Sequence, residues 1–314
     1  MKTSFMAALV ACCLAFGCSA EQRGPTATVS ASEPATELTG LLNDFNFSGS
    51  ILVGKKGNII LRQAVNASRI EEVEAVTPET PYPIASMTKS FTASLDIPGW
   101  FDTEVKRSFT DESFLDTLQA LDLKFQPGSD YLYSNVNYYL LARIIDRHAG
   151  ARYEDYLRSQ ILDPLGLAHT GQIYQDASEL AANYLRSEDG GYEIIPITNP
   201  ALFRGTASMY STIDDLFAWG QAIIAGEVFS EAGEKEAFNP EGPMAWTVAS
   251  MPLGGAEPVE AIFYNGRLIG YLSLILLLPE QEGVIVVLNN NMVGYENMLN
   301  IASMLAEQHF GDPI

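Results

Sequence analysis

Pro83-Ile84-Ala85-Ser86-Met87-Thr88-Lys89-Ser90-Phe91-Thr92 is the stretch on which the reading of this chain turns. It holds the chain's only Ser-x-x-Lys, and an apolar run, Ser90 to Leu95, continues from it. On a helix, a serine three residues before a lysine puts both side chains on one face. A serine hydroxyl is a poor nucleophile until a base takes its proton. Lysine serves as that base only where burial or a neighbouring cation lowers its pKa toward neutrality. A serine at a helix N-terminus also lies beside free backbone N–H groups that can hold a developing oxyanion. Taken alone, the tetrad equally suits a capping serine and a solvated lysine.

Strand signals lie on either side of it. Phe47 to Val53 and Ile59 to Leu61 flank a turn at Gly54-Lys55-Lys56-Gly57-Asn58, which reads as a hairpin. Tyr271 to Leu278 and Val284 to Leu288 flank Pro279-Glu280-Gln281-Glu282-Gly283, a second hairpin whose continuous apolar runs suit a sheet covered on both faces. Between them, Tyr138 to His148 is apolar at helical spacing and stops at Gly150, and Tyr153 to Leu162 is similar. Thr212 reads as an N-cap with Asp214 and Asp215 in the first turn of a helix to Ile224. Met298, Leu299, Ile301, Ala302, Leu305 and Ala306 mark a terminal helix. The fold class is α/β: one antiparallel sheet built from both chain ends, flanked by helices, with a mainly helical lobe inserted between the hairpins. A site is expected in the cleft between sheet and lobe.

A second stretch completes the pattern. Phe125-Gln126-Pro127-Gly128-Ser129-Asp130-Tyr131-Leu132-Tyr133-Ser134-Asn135 offers a tyrosine that could relay a proton and an amide that could hold Lys89 or a substrate carbonyl. Tyr295-Glu296-Asn297 repeats Tyr-x-Asn, so that motif decides little by itself. Together with the Ser86 stretch, however, it resembles the serine β-lactamase and penicillin-binding protein superfamily, in its esterase and class C-like branch. The resemblance extends, in order, over Tyr138 to Ala142, Pro164 to Thr170, Gly205 to Leu216 and Gly283 to Asn289. It implies the lactamase/transpeptidase fold. It also implies a serine hydrolase in which Ser86 is acylated by an ester or amide, as in carboxylesterases, β-lactamases and D-amino-acid peptidases. Lys89 and Tyr133 would move the proton, Asn135 would orient substrate and Lys89, and water would release the acyl group. No metal or organic cofactor is implied, and the partners would be small-molecule ester, amide or peptidoglycan-like substrates.

The chain departs from the family pattern twice. The family's third motif opens with Lys or His, whereas the aligned residues are Tyr264-Asn265-Gly266, followed by Arg267. Gly266 leaves room for substrate. Arg267 would supply a second oxyanion N–H, and its side chain is a candidate substitute for the cation that Tyr264 replaces. Secondly, Tyr133 follows Ser86 by only 47 residues. The helix after Ser86 has barely reached Leu95 before Ile97-Pro98-Gly99-Trp100, and proline interrupts helices. An internal deletion is expected there. These departures favour the alternative of a catalytically impaired, β-lactamase-like binding protein of the cell envelope.

Composition limits the partners. The chain has 314 residues, with 18 Lys and Arg against 39 Asp and Glu, a net charge of −21. Nucleic-acid binding draws on basic side chains that release counterions, so this balance argues against it, and equally against electrostatic attachment to anionic lipid. An apolar share of 47% excludes a disordered chain. His148, His169 and His309 are the only histidines and none forms a ligand-spaced pair, and a Gly-x-Ser-x-Gly elbow is absent.

The N-terminus reads as residues 1–18, a signal peptide of lipoprotein type, residues 19–36, a flexible Ser/Thr/Ala/Pro-rich linker, and residues 37–314, the β-lactamase-related domain. The apolar run Phe5 to Gly17 is shorter than the roughly 20 residues that span a bilayer. Cys18 resembles the lipid-modified cysteine of a bacterial lipobox, which implies an exported, envelope-anchored, periplasm-facing protein. Cys12 and ordinary cleavage near Ala20 remain the alternatives. All three cysteines lie in this segment, so the domain has no disulfide framework.

Overall fold

The structure is a computed structural model. It describes residues 34–66, 73–95, 125–126, 129–130, 133–175, 179–197, 200–239, 244–254 and 257–311. The expected signal peptide, most of the linker and the expected deletion after Leu95 lie outside the described residues.

In chain order, helix α1 (Pro34–Asp44) leads into strands β1 (Ser48–Lys55) and β2 (Asn58–Asn66), then β3 (Tyr82–Pro83). A 3-10 turn (Ala85–Met87) opens α2 (Thr88–Ala93). Helices α3 (Asn135–Ala149) and α4 (Tyr153–Leu157) follow, the latter ending in a π-helical turn (Arg158–Leu162). Next come short strands β4 (Gly171–Gln172), β5 (Leu185–Arg186), β6 (Tyr192–Glu193) and β7 (Met209–Ser211), and helices α5 (Ile213–Ile224) and α6 (Glu231–Ala237). The chain closes with β8 (Thr247–Met251), β9 (Val259–Leu268), β10 (Tyr271–Leu278), β11 (Gly283–Asn289) and α7 (Tyr295–Phe310). Helix α1 begins at Pro34, inside the last residues of the segment read as linker.

Both chain ends meet in one sheet, ordered β2-β1-β11-β10-β9-β8, with neighbours antiparallel. Side-chain alternation sorts its residues into two cores. Ile51, Val53, Phe263, Leu272, Leu274, Leu276, Ile285 and Val287 pack with Leu41, Leu42, Ile301 and Leu305 of α1 and α7. Leu52, Ile262, Tyr264, Ile275, Leu277, Val284 and Val286 pack on the opposite side with Phe91, Leu216 and Trp219 of the lobe. This two-sided burial is why β10 and β11 are apolar throughout, apart from Ser273 and the terminal Asn289. The Thr212 side chain caps α5 by accepting from the Asp215 N–H, and Gly150 ends α3 in the left-handed region at φ 63°. A small sheet, β3-β7-β4, joins the lobe to the turn that carries Ser86.

Candidate active site

The turn bearing Ser86 is held from several directions. The Ile84 N–H donates to the Met209 carbonyl at 3.0 Å, and the Ile84 carbonyl accepts from Ser273 Oγ at 2.7 Å. Ala85 sits at φ 50°, in the left-handed region that costs an L-residue about 1–2 kcal/mol. Gly266 on β9 lies directly against this turn. A Cβ there would come within 2.3 Å of the Ile84 carbonyl oxygen and 2.8 Å of the Ser86 nitrogen, so only glycine permits the approach.

Three predicted residues converge. Lys89 Nζ lies 3.0 Å from Ser86 Oγ, and the Tyr133 hydroxyl lies 3.1 Å from the same oxygen. Lys89 is fully buried; its amine also donates to the Thr206 carbonyl at 2.9 Å and lies over the rings of Tyr133 and Tyr138, at 5.0 and 5.5 Å from their centroids. Burial brings its pKa down from 10.5 to about 7. For Tyr133, burial raises the phenol's proton affinity, while hydrogen bonds with Ser86 and Tyr264 work in the opposite direction. A neutral amine at this position can accept the Ser86 proton, and the Tyr133 hydroxyl can pass a proton onward.

Two predicted roles fit less well. Asn135 is exposed, and its Oδ1 lies 3.5 Å from the Tyr133 hydroxyl, whereas the recorded acceptors of the Lys89 amine are Ser86 Oγ and the Thr206 carbonyl. The partner that orients Lys89 is thus a backbone carbonyl rather than the Asn135 amide. Arg267 alternates with Gly266 and shares the side of β9 occupied by Phe263, opposite Tyr264; its register partner Leu272 belongs to the α1/α7 core. Its side chain is therefore directed away from the cleft side and does not restore the missing cation. Tyr264 is buried, packs against Trp246 with ring centroids 6.0 Å apart, and reaches Tyr133.

Sequence reasoning missed the Thr206 carbonyl and Ser273. No side-chain pattern announces a backbone acceptor. Ser273 had a signal: it is the one serine in the apolar run of β10. Among the described residues no group of three or more His, Cys, Asp or Glu could hold a metal ion, and no helix is long and apolar enough to cross a membrane.

The family model described as Beta-lactamase matches residues 96–308. The chain belongs to the beta-lactamase family. It is a member of the serine beta-lactamase and penicillin-binding protein superfamily, a group of serine hydrolases. The match to this beta-lactamase family begins directly after Leu95, where the sequence pattern breaks, and leaves Ser86 and Lys89 just outside it. Penicillin-binding protein 4* of Bacillus subtilis (strain 168) is 22% identical over 307 residues, covering 88% of this chain and 65% of that protein. A D-aminopeptidase of Brucella anthropi is 26% identical over 227 residues, covering 56% of this chain and 42% of the relative. The chain thus spans about two fifths to just under two thirds of the length of these relatives. A solved class C beta-lactamase superposes with a TM-score of 0.69 at 17% identity, over 89% of this chain and 96% of that one, and so shares the fold.

Proposed function

We propose that this beta-lactamase-family member is an exported serine hydrolase that cleaves small esters or amides through an acyl-enzyme on Ser86. The observation that carries the reading is the placement of Ser86 Oγ at 3.0 Å from a buried amine of pKa about 7 and 3.1 Å from a phenol. In the first step Ser86 Oγ attacks the carbonyl carbon and its proton passes to Lys89 Nζ. The Ser86 N–H, backed by Gly266, and the Arg267 N–H hold the oxyanion. The tetrahedral intermediate collapses as the leaving alkoxide or amine takes a proton through Tyr133. Water then attacks the carbonyl carbon of the ester on Ser86 and gives a proton to the same relay, which returns it to Ser86 Oγ as the carbon–oxygen bond to Ser86 breaks and the acid leaves.

Tyr264 shapes the substrate. A neutral phenol there, with the Arg267 side chain on the other side of β9, favours acyl groups without a carboxylate close to the scissile bond. Carboxylesters and amino-acid amides fit this better than β-lactams do; the D-aminopeptidase relative makes D-amino-acid amides the first amides to test. Cys18 is the proposed lipid-modified residue, which would tether the domain in the cell envelope, and two or three acyl chains suffice for stable anchoring.

A second reading, an envelope binding protein without turnover, is favoured by one feature: α2 stops at Ala93 after six residues. Hydrolysis of p-nitrophenyl butyrate, D-alanine p-nitroanilide and nitrocefin by wild type and Ser86→Ala separates the two. Turnover of the ester or the anilide above nitrocefin, lost at least ~100-fold in Ser86→Ala, supports the hydrolase. Folded wild type that turns over none of the three, or turnover that survives Ser86→Ala, contradicts it.

A further inference from the structure

Arg204 lies two residues before the carbonyl that holds the Lys89 amine. Its guanidinium is saturated by two carboxylates from the helices behind the site. Nη1 and Nη2 donate to Asp146 Oδ2 and Oδ1 at 2.7 and 2.6 Å, and Nε and Nη2 donate to Glu154 Oε1 and Oε2 at 2.5 and 3.0 Å. The side chains of Arg204 and Glu154 are only 12% and 3% exposed. Burial works against the Glu154 carboxylate, but Arg204 and the Tyr174 hydroxyl outweigh it and bring its pKa down to about 2. Asp146 also accepts from the Tyr153 N–H at 2.7 Å, which joins α3 to α4.

The other side of the same turn is gripped as well. Thr92 Oγ1, on α2, lies 2.9 Å from the Gly205 carbonyl and 2.9 Å from the Tyr153 hydroxyl. Gly205 has φ 70°, and a Cβ there would meet the Tyr138 carbonyl oxygen at 2.7 Å, so the turn is wedged against α3. The hydrogen bonds of Ser86 Oγ and Lys89 Nζ run to one another, to the Tyr133 hydroxyl and to the Thr206 carbonyl, so Arg204, Asp146, Glu154 and Thr92 act on them only through the turn. Buried ion networks are weak sources of net stability, since apolar replacements often do as well. What this one fixes is a position.

We infer that Arg204, with Asp146, Glu154 and Thr92, forms a positioning network that pins the Thr206 carbonyl and through it aims the Lys89 amine at Ser86. The inference rests on Lys89 acting as the base. A neutral amine has two N–H bonds and one lone pair. With one N–H committed to Thr206, the lone pair can be turned to Ser86 Oγ. The ammonium form depends on the same carbonyl, because the other recorded neighbours of Nζ are the Ser86 hydroxyl and the rings of Tyr133 and Tyr138. A carbonyl that drifts away therefore both misaims the amine and lowers its proton affinity.

The test uses Thr92→Val, which removes one grip at nearly constant volume, and the charge-neutral pair Arg204→Gln/Glu154→Gln. Lys89 titration is read by NMR on lysine-labelled protein, with Lys89→Met assigning the signal, and the rate of fluorophosphonate labelling is followed against pH. The network predicts a Lys89 midpoint at least half a pH unit below wild type and a labelling plateau at least tenfold lower. A midpoint or a plateau that stays at the wild-type value in every variant that folds, or a midpoint that rises, overturns it. Should the double variant not fold, Thr92→Val decides alone. Wild type that resists labelling would sink the proposed hydrolase, while the NMR midpoints would still decide the network.

Discussion

Replacing Gly266 with alanine tests how the sheet places the nucleophile. The new Cβ would stand 2.3 Å from the Ile84 carbonyl oxygen, 2.6 Å from Ser273 Oγ and 2.8 Å from the Ser86 nitrogen. Two of these are backbone atoms, so no side-chain rotation relieves the clash. At Gly266 strand β9 is paired with Ser273 of β10, whose Oγ is itself bonded to the Ile84 carbonyl, so strand and turn are tied together and poorly able to separate. The turn carrying Ser86 must therefore move by about 1 Å to regain ordinary contact. Overpacking of this kind costs about 1–3 kcal/mol of stability. The effect on chemistry is larger. The 3.1 Å contact from Tyr133 to Ser86 Oγ is already long for a hydroxyl pair, and a displacement of about 1 Å away would break both it and the 3.0 Å contact to Lys89. Misplacement by about 1 Å can lower rates on the order of 100-fold. The assay is the second-order rate constant for fluorophosphonate labelling beside a thermal melt, with Gly40→Ala, in open space on α1, as control. A folded Gly266→Ala that labels within threefold of wild type refutes the placement.

Other outcomes follow from the same geometry. Labelling of wild type should rise with pH through about 7 and level off above it, because Lys89 must lose its proton to act; Lys89→Arg, which stays charged, should stay flat and at least ~100-fold slower. Lys89 also bears on stability. Its proton is held less tightly folded than unfolded, so its cost is full below about 7, fades as pH rises, and is gone above 10.5. Each tenfold change in proton affinity is worth about 1.4 kcal/mol, which puts the ceiling at roughly 5 kcal/mol. Lys89→Met should accordingly raise the melting temperature at pH 6 and give a smaller gain at pH 10, and equal gains at both would contradict this. Phe91 stacks on Trp219 at 4.2 Å between ring centroids, and Phe91→Ala should lower the unfolding free energy by about 3–5 kcal/mol in urea titrations.

Both hairpins and the terminal helix were legible because each is a local pattern: a period of two or an unbroken apolar run beside Gly-rich turns, then helical spacing from Met298 to Ala306. Thr212 and Gly150 announced their helix ends for the same reason. The short strands β3, β4 and β7 were not legible, since two- and three-residue strands exist only through partners far along the chain. In the site, Ser86, Lys89 and Tyr133 were singled out by the resemblance of their two stretches to the family's motifs, since neither motif decides much by itself. The direction of Arg267 needed the register of β9 against β10. The Arg204 cluster joins residues 50 and 58 positions apart, which no local pattern marks. The Thr206 carbonyl was invisible because every residue carries one.

The central claim is that Ser86 is an activated nucleophile. Intact-mass measurement of the folded protein treated at pH 8 with a fluorophosphonate, followed by peptide mapping, tests it most directly. The account predicts a single covalent adduct on the peptide containing Ser86, absent in Ser86→Ala and strongly slowed in Lys89→Met. An unmodified wild type, or an adduct on any other residue, would contradict it.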